Sequence, residues 1–69
     1  MTPGELLSLC REMKGLTLRD VEKATGISNA FISQIERGVA TGFSFERAII
    51  LCDLYGITLE RLAATVRNP

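Results

Sequence analysis

The sequence predicts an all-α fold, an orthogonal bundle of five short helices, and three observations carry that prediction. Apolar residues recur at spacings of three and four, and no stretch alternates long enough to read as a strand. A Thr or Ser stands in the cap position ahead of each periodic segment: Thr2, Thr17, Ser28, Ser44 and Thr58. Glycines close the segments, with Gly15, Gly38 and Gly56 at nearly even intervals and Gly26 between them. Segments so short and so often stopped build an orthogonal bundle rather than a long up-and-down one.

The first helix, about residues 3–14, opens on Thr2-Pro3-Gly4-Glu5, where a Thr cap, a Pro at the first helical position and a Glu at the third make a capping box. Its expected apolar stripe is Leu6, Leu9, Cys10 and Met13, with Leu7 at the margin. Thr17 caps a second helix, about 18–24, with Asp20 at its third position and Leu18, Val21 and Ala24 turned inward. Gly26, the residue that tolerates positive φ, ends it, and Ser28 opens a third helix, about 29–37, anchored by Ile27, Phe31, Ile32 and Ile35. After a loop from Val39 to Phe43, Ser44 starts a fourth helix, about 45–55, carrying Phe45, Ala48, Ile49, Leu51, Cys52 and Tyr55. Thr58 caps the fifth, about 59–66, whose apolar side is Leu59, Leu62, Ala63 and Val66.

Sixty-nine residues leave room for one domain, residues 1–69, with a modest core. Hydrophobic residues are 46% of the chain and charged residues 23%, an ordinary globular balance outside the disordered class. No apolar run reaches the length of a membrane span and the first residues lack a secretion signal, so the expected location is cytoplasmic, without membrane contact. Cys10 and Cys52 each sit alone in an apolar helical stretch and read as buried thiols in a reducing compartment. With no His and no paired cysteines the chain offers no metal site, and no cofactor is expected. The same lack of His, of carboxylate pairs in a Gly-rich cleft and of a phosphate loop leaves no catalytic residue to nominate, so the chain does not read as an enzyme. Eight basic and eight acidic residues cancel, which argues against broad polyanion affinity while allowing a local basic edge.

The second and third helices, joined by a short turn containing Gly26, form a helix-turn-helix. Residues 5–64 resemble the Xre/Cro-type, lambda repressor-like helix-turn-helix regulators, and "GLTLRDVEKATGIS" and "ISQIERG" are the most specific pieces of that likeness. The resemblance implies a sequence-specific DNA-binding transcriptional regulator, a repressor, that lays its third helix in the major groove of a double-stranded operator as a homodimer and competes sterically with polymerase.

Taken by itself, the third helix turns Ile32 and Ile35 inward and leaves Asn29, Ala30, Ser33, Gln34 and Arg37 across its remaining surface. Asn and Gln amides can pair bidentately with adenine, Ser can serve several bases, and an Ala methyl can meet a thymine methyl. The family places base readers at the positions of Asn29, Ala30, Ser33 and Gln34. Phosphate contacts are expected from Thr17, Arg19, Ser28 and Arg37. Thr17 and Ser28 can equally be plain caps, and Arg37 can equally answer the negative end of its own helix. Arg11 and Glu36 resemble a pair that bridges the first and third helices in this family, a scaffold ion pair rather than a groove contact. Phe43, Tyr55, Leu59 and Val66 are the expected dimer contacts, an apolar set larger than a short last helix needs for its own packing.

The chain departs from the family at three places. Leu18 stands where a Gln usually reaches a phosphate, Glu22 stands where a small Ala lets the two motif helices pack closely, and Val39-Ala40-Thr41-Gly42 lacks the usual loop cations. Glu22 must therefore turn outward or widen the packing. About three cationic phosphate contacts per monomer, from Arg19, Arg37 and one of Arg11 or Lys14, give a salt slope near −3 and weak monomer binding. The rival expectation is a protein-interaction module of the same fold, such as an antirepressor or an antitoxin-like subunit, which would engage a protein partner through its apolar end.

Overall fold

A computed structural model describes residues 1–39 and 44–67. It contains five helices: α1 (Pro3–Met13), α2 (Leu18–Thr25), α3 (Asn29–Glu36), α4 (Phe45–Tyr55) and α5 (Leu59–Arg67). Among the described residues there is no strand, and no helix is long and apolar enough to cross a membrane. The all-α fold class read from the sequence is the observed one.

Caps define the element starts. Thr2 accepts from the Glu5 backbone N–H while the Thr2 N–H donates to the Glu5 carboxylate, and Thr17 and Asp20 repeat that reciprocal pair. Ser28, Ser44 and Thr58 accept from the backbone N–H groups of Phe31, Arg47 and Arg61.

The core gathers Leu6, Leu7, Val21, Ile27, Ile32, Ile35, Ala48, Leu51, Cys52, Tyr55 and Leu62, so every helix and the α2–α3 turn contribute to it. α1 lies against α3, α4 and α5, while α2 packs on α3 and α4. The first helix is rotated from the expected stripe. Its inward arc runs from Leu6 through Cys10 and Leu7 to Gly4 and Arg11, and Leu9 and Met13 face outward, Met13 at 79% exposure. Gly4 explains the rotation, because a Cβ placed there would stand 2.3 Å from the Ile35 carbonyl oxygen and 2.7 Å from that of Glu36. The absent side chain lets α1 touch the end of α3 backbone to backbone.

Other expected core positions also turn outward. Ala24 is exposed, and its place in the α2 interior is taken by Thr25, whose hydroxyl donates to the Val21 carbonyl at 2.7 Å and accepts from the Ile27 N–H at 3.1 Å. In α4 the buried set Ala48, Leu51, Cys52, Tyr55 excludes Ile49 and leaves Phe45 69% exposed at the first turn. In α5 the buried partner of Leu62 is Thr65 rather than Val66, a polar residue made compatible with burial by donating to the Leu62 carbonyl at 2.6 Å.

Candidate nucleic-acid interface

Gly26 makes the turn of the motif. Its φ of 79° is a left-handed conformation that an L side chain resists, and its N–H closes α2 by donating to the Glu22 carbonyl at 2.8 Å. Ile27 then drops into the core, and Ser28 caps α3 two residues after the glycine.

With Ile32 and Ile35 buried, α3 presents Ala30, Ser33, Gln34 and Arg37 as one continuous strip at helical spacings of three and four. Ala30, Gln34 and Arg37 are exposed and Ser33 is half-buried. Asn29 lies at the margin of this strip, against α2, and is also half-buried. The structure thus brings together the four residues expected to read bases, three on one face and Asn29 beside it.

Asn29 is not free. Its side-chain Nδ2 donates to one carboxylate oxygen of Glu22 at 2.9 Å, and its backbone N–H donates to the other at 3.2 Å. Glu22 therefore does not point away from the motif. It lies across the turn and satisfies the first N–H of α3, where negative charge suits the helix dipole. The hydrogen bond from the Asn29 side chain, then that from its backbone, hold the Glu22 carboxyl below its ordinary range, and nearby Arg19 adds to the effect. The sequence marked Glu22 only as a packing misfit. Its reach to a residue seven positions later had no signal in helical periodicity, because the contact crosses the turn.

The other expected contacts divide similarly. Thr17, Arg19, Ser28 and Arg37 are all exposed. Thr17 accepts at its hydroxyl from the Asp20 N–H and donates its own N–H to the Asp20 carboxylate, whose pKa is lowered first by that backbone bond and then by the Thr17 side chain. The start of α2 thus carries a carboxylate of its own, and so does the start of α3. Each weakens the case for an inorganic-like phosphate seat at these ends and favours the capping role.

Arg11 and Glu36 form a bidentate pair, Nε to one carboxylate oxygen at 2.8 Å and Nη2 to the other at 3.0 Å. The third arm of the guanidinium donates to the Leu16 carbonyl at 2.9 Å, so Arg11 ties α1, the α1–α2 loop and the last residue of α3 together. Glu36 keeps Arg11 charged by raising its pKa further. Arg11, with each of its three nitrogens engaged within the fold, is removed from the cations available to phosphate.

A residue missed in the sequence flanks the same surface. The Arg47 guanidinium lies 5.0 Å from the centroid of the Phe31 ring, joining the start of α4 to the first turn of α3. The two side chains are 16 positions apart, and only the packing of α4 across the turn brings them together.

Of the expected dimer contacts, Tyr55 is corrected: at 4% exposure it is a core residue, buried on the inner side of α4. Leu59 is half-buried against the core, whereas Val66 is 67% exposed. Phe43 lies outside the described residues.

Comparison with known proteins places this geometry. The helix-turn-helix family matches residues 7–62 of the chain. The DNA complex of SinR, the master regulator for biofilm formation, matches with a TM-score of 0.84 at 21% identity over 90% of this chain and 98% of that one, a likeness of fold. A curated relative, the isomerizing glutamine–fructose-6-phosphate aminotransferase of Methanocaldococcus jannaschii, is 44% identical over 52 residues, which are 75% of this chain but 5% of that protein. The aminotransferase likeness therefore concerns one small segment of a much larger protein. With the family match spanning α1 to α5 and the motif built as described, the chain belongs to the Xre/Cro-type, lambda repressor-like helix-turn-helix family of DNA-binding regulators.

Proposed function

We propose that this protein is a sequence-specific transcriptional repressor that inserts α3 into the operator major groove and acts as a homodimer by occluding polymerase. The observation that carries the proposal is the α3 strip of Ala30, Ser33, Gln34 and Arg37, short, polar and open beside Asn29, on a helix whose opposite side is locked into the core. Small and amide side chains of this kind suit base edges, whereas a helix built to dock on protein would carry apolar or aromatic anchors. The fold shared with SinR, described in complex with DNA, supports a DNA-binding role. Base contacts would come from Asn29, Ala30, Ser33 and Gln34, and phosphate contacts from Arg19 and Arg37, with Thr17 and Ser28 left to their capping role.

The exposed apolar side chains of Met13, Phe45 and Val66 favour a second reading, a protein-binding module of the same fold. One assay separates the two. Mobility shifts on a site selected from random duplex, at two salt concentrations, compare wild type with Asn29→Ala plus Gln34→Ala. The expected loss is about 1–3 kcal/mol for each bidentate contact removed. Equal binding by the double variant overturns the assignment of base readers, and failure of wild type to select any site leaves the protein-binding reading in its place. Sedimentation of wild type against Val66→Asp tests the homodimer through α5, with dissociation expected from the variant.

A further inference from the structure

Glu22 holds the one candidate reader that lies closest to the helix start, and that arrangement has chemical consequences for what Asn29 can recognise. A carboxylate accepts hydrogen bonds and cannot donate them. The Asn29 amide must therefore keep its Nδ2 side toward Glu22, as the 2.9 Å contact has it, and turn Oδ1 away. The second carboxylate oxygen, bonded to the Asn29 backbone N–H, keeps Glu22 from swinging out of the way. An unrestrained Asn can rotate by half a turn about its last torsion and offer either its donors or its acceptor to a base. Here the orientation is fixed: Oδ1 stays on the outer side, and of the donors only the second Nδ2 hydrogen remains beside it.

We propose that Glu22 is a specificity-determining positioning residue: by clasping Asn29 it presents an acceptor-rich edge that selects a base with an exocyclic amine in the major groove, adenine or cytosine. Adenine offers its N6 amine and cytosine its N4 amine there, and both can donate to Oδ1 or to a spare lone pair of the carboxylate. Guanine O6 and thymine O4 are acceptors and would face Oδ1 and the nearby negative charge, with only the second Nδ2 hydrogen of Asn29 to answer them. The proposal rests on the groove-reading function proposed above for α3. It uses Glu22, a residue at which this chain has replaced the small side chain expected between the motif helices.

The test is selection from random duplex followed by titration on the selected site and its single-base variants, for wild type, Glu22→Ala and Glu22→Gln. Wild type should discriminate against guanine and thymine at one position of each half-site by roughly five- to hundred-fold, the span of a good base contact. In Glu22→Ala that ratio should fall to within about three-fold while the remaining positions keep theirs. Glu22→Gln, which retains the shape but can donate as well as accept, should lose the bias against guanine and thymine too. Removing a negative charge near phosphates strengthens binding to every sequence alike, so the ratio between sequences, not the affinity, is the readout. In the free protein, the Asn29 backbone and side-chain amide signals should titrate together with Glu22 in wild type, and neither should titrate at that pH in Glu22→Gln. A wild type that selects a site, with both variants keeping its base profile, overturns the role of Glu22 alone. A wild type that selects no sequence overturns the groove-reading function and this role with it.

Discussion

Replacing Gly4 with Ala tests the contact that sets where α3 ends relative to α1. A Cβ at this position would lie 2.3 Å from the Ile35 carbonyl oxygen and 2.7 Å from that of Glu36. Ordinary carbon–oxygen contacts are about 3.3 Å or longer, so the two helices must part by roughly 1 Å. Both opposing atoms are backbone, and neither can rotate aside. Overpacking of this kind costs about 1–3 kcal/mol, and rigid neighbours put the site at the upper end. Against it stands the helix preference of Ala over Gly, up to about 1 kcal/mol, which alone would make the variant more stable. The clash wins by about 2 kcal/mol. For a domain this small that is a fall in melting temperature of roughly 8–16 °C. Gly26→Ala is the matched control: a Cβ there meets nothing within 4 Å, so the only penalty is the positive φ, about 1–2 kcal/mol. Thermal melts followed by far-ultraviolet dichroism compare both with wild type. A Gly4→Ala protein that melts at or above the wild-type temperature would mean that α1 and α3 do not approach this closely, and the rotation of α1 inferred from Gly4 would fall with it.

Arg11→Met should cost about 3 kcal/mol or more in urea denaturation, because it strands Glu36, whose side chain is only 9% exposed, while Arg11→Met combined with Glu36→Leu should recover most of the loss. Glu5, Asp20 and Glu22 all have lowered folded-state pKa values, first through hydrogen bonds to Thr2, Thr17 and Asn29, so their contribution is complete above the unfolded carboxylate values of about 4 and disappears as pH falls through the folded ones. Melting temperature should accordingly be flat from neutral pH to about pH 5 and drop below it, with a shallower drop in Glu22→Gln. Tyr55, whose buried hydroxyl has no hydrogen-bond partner among the described residues, is pushed up to about 12 by burial and then by Glu36. Its neutral form therefore supports the fold fully below about pH 10, and that support is lost as pH rises toward 12; Tyr55→Phe should match or exceed wild-type stability at neutral pH.

What the sequence made legible is what local chemistry decides. Cap residues, glycine stops and the 3.6-residue period act within a few positions of themselves, and they suffice for an all-α bundle with Ile32 and Ile35 inward on α3. The misplaced core positions share a different cause. Leu9 and Met13 fit the apolar spacing of three and four, whereas the rotation of α1 follows from a residue with no side chain, Gly4, and from the charged Arg11. Thr25 and Thr65 lie outside the apolar pattern, yet each satisfies its hydroxyl on a carbonyl of its own helix and can then be turned inward. The candidate interface was legible as a strip of side chains but not as a network. Asn29 with Glu22, and Phe31 with Arg47, are pairs that exist only once a turn or a helix crossing has been made.

The network also redistributes the charge that a DNA-binding role would need. Arg11 is spent on Glu36 and Leu16, and Asp20 and Glu22 sit at the two helix starts that would otherwise offer bare N–H groups to phosphate. On the groove-reading proposal, Arg19 and Arg37 remain as phosphate cations, which lowers the expected salt slope to about −2 per monomer. A monomer so lightly held by phosphates must obtain its preference between sequences from hydrogen-bond geometry at the bases, because charge contributes to all sequences alike. That places the weight on how firmly the readers are oriented, and Asn29, clasped at two atoms, is oriented by a carboxylate that itself repels phosphate. Weak electrostatic attachment and strict side-chain placement are therefore two effects of the same residue, so Glu22→Ala should raise affinity for unrelated duplex at low salt while narrowing the gap to the selected site; a variant that gained on both equally would separate the two effects and remove the link.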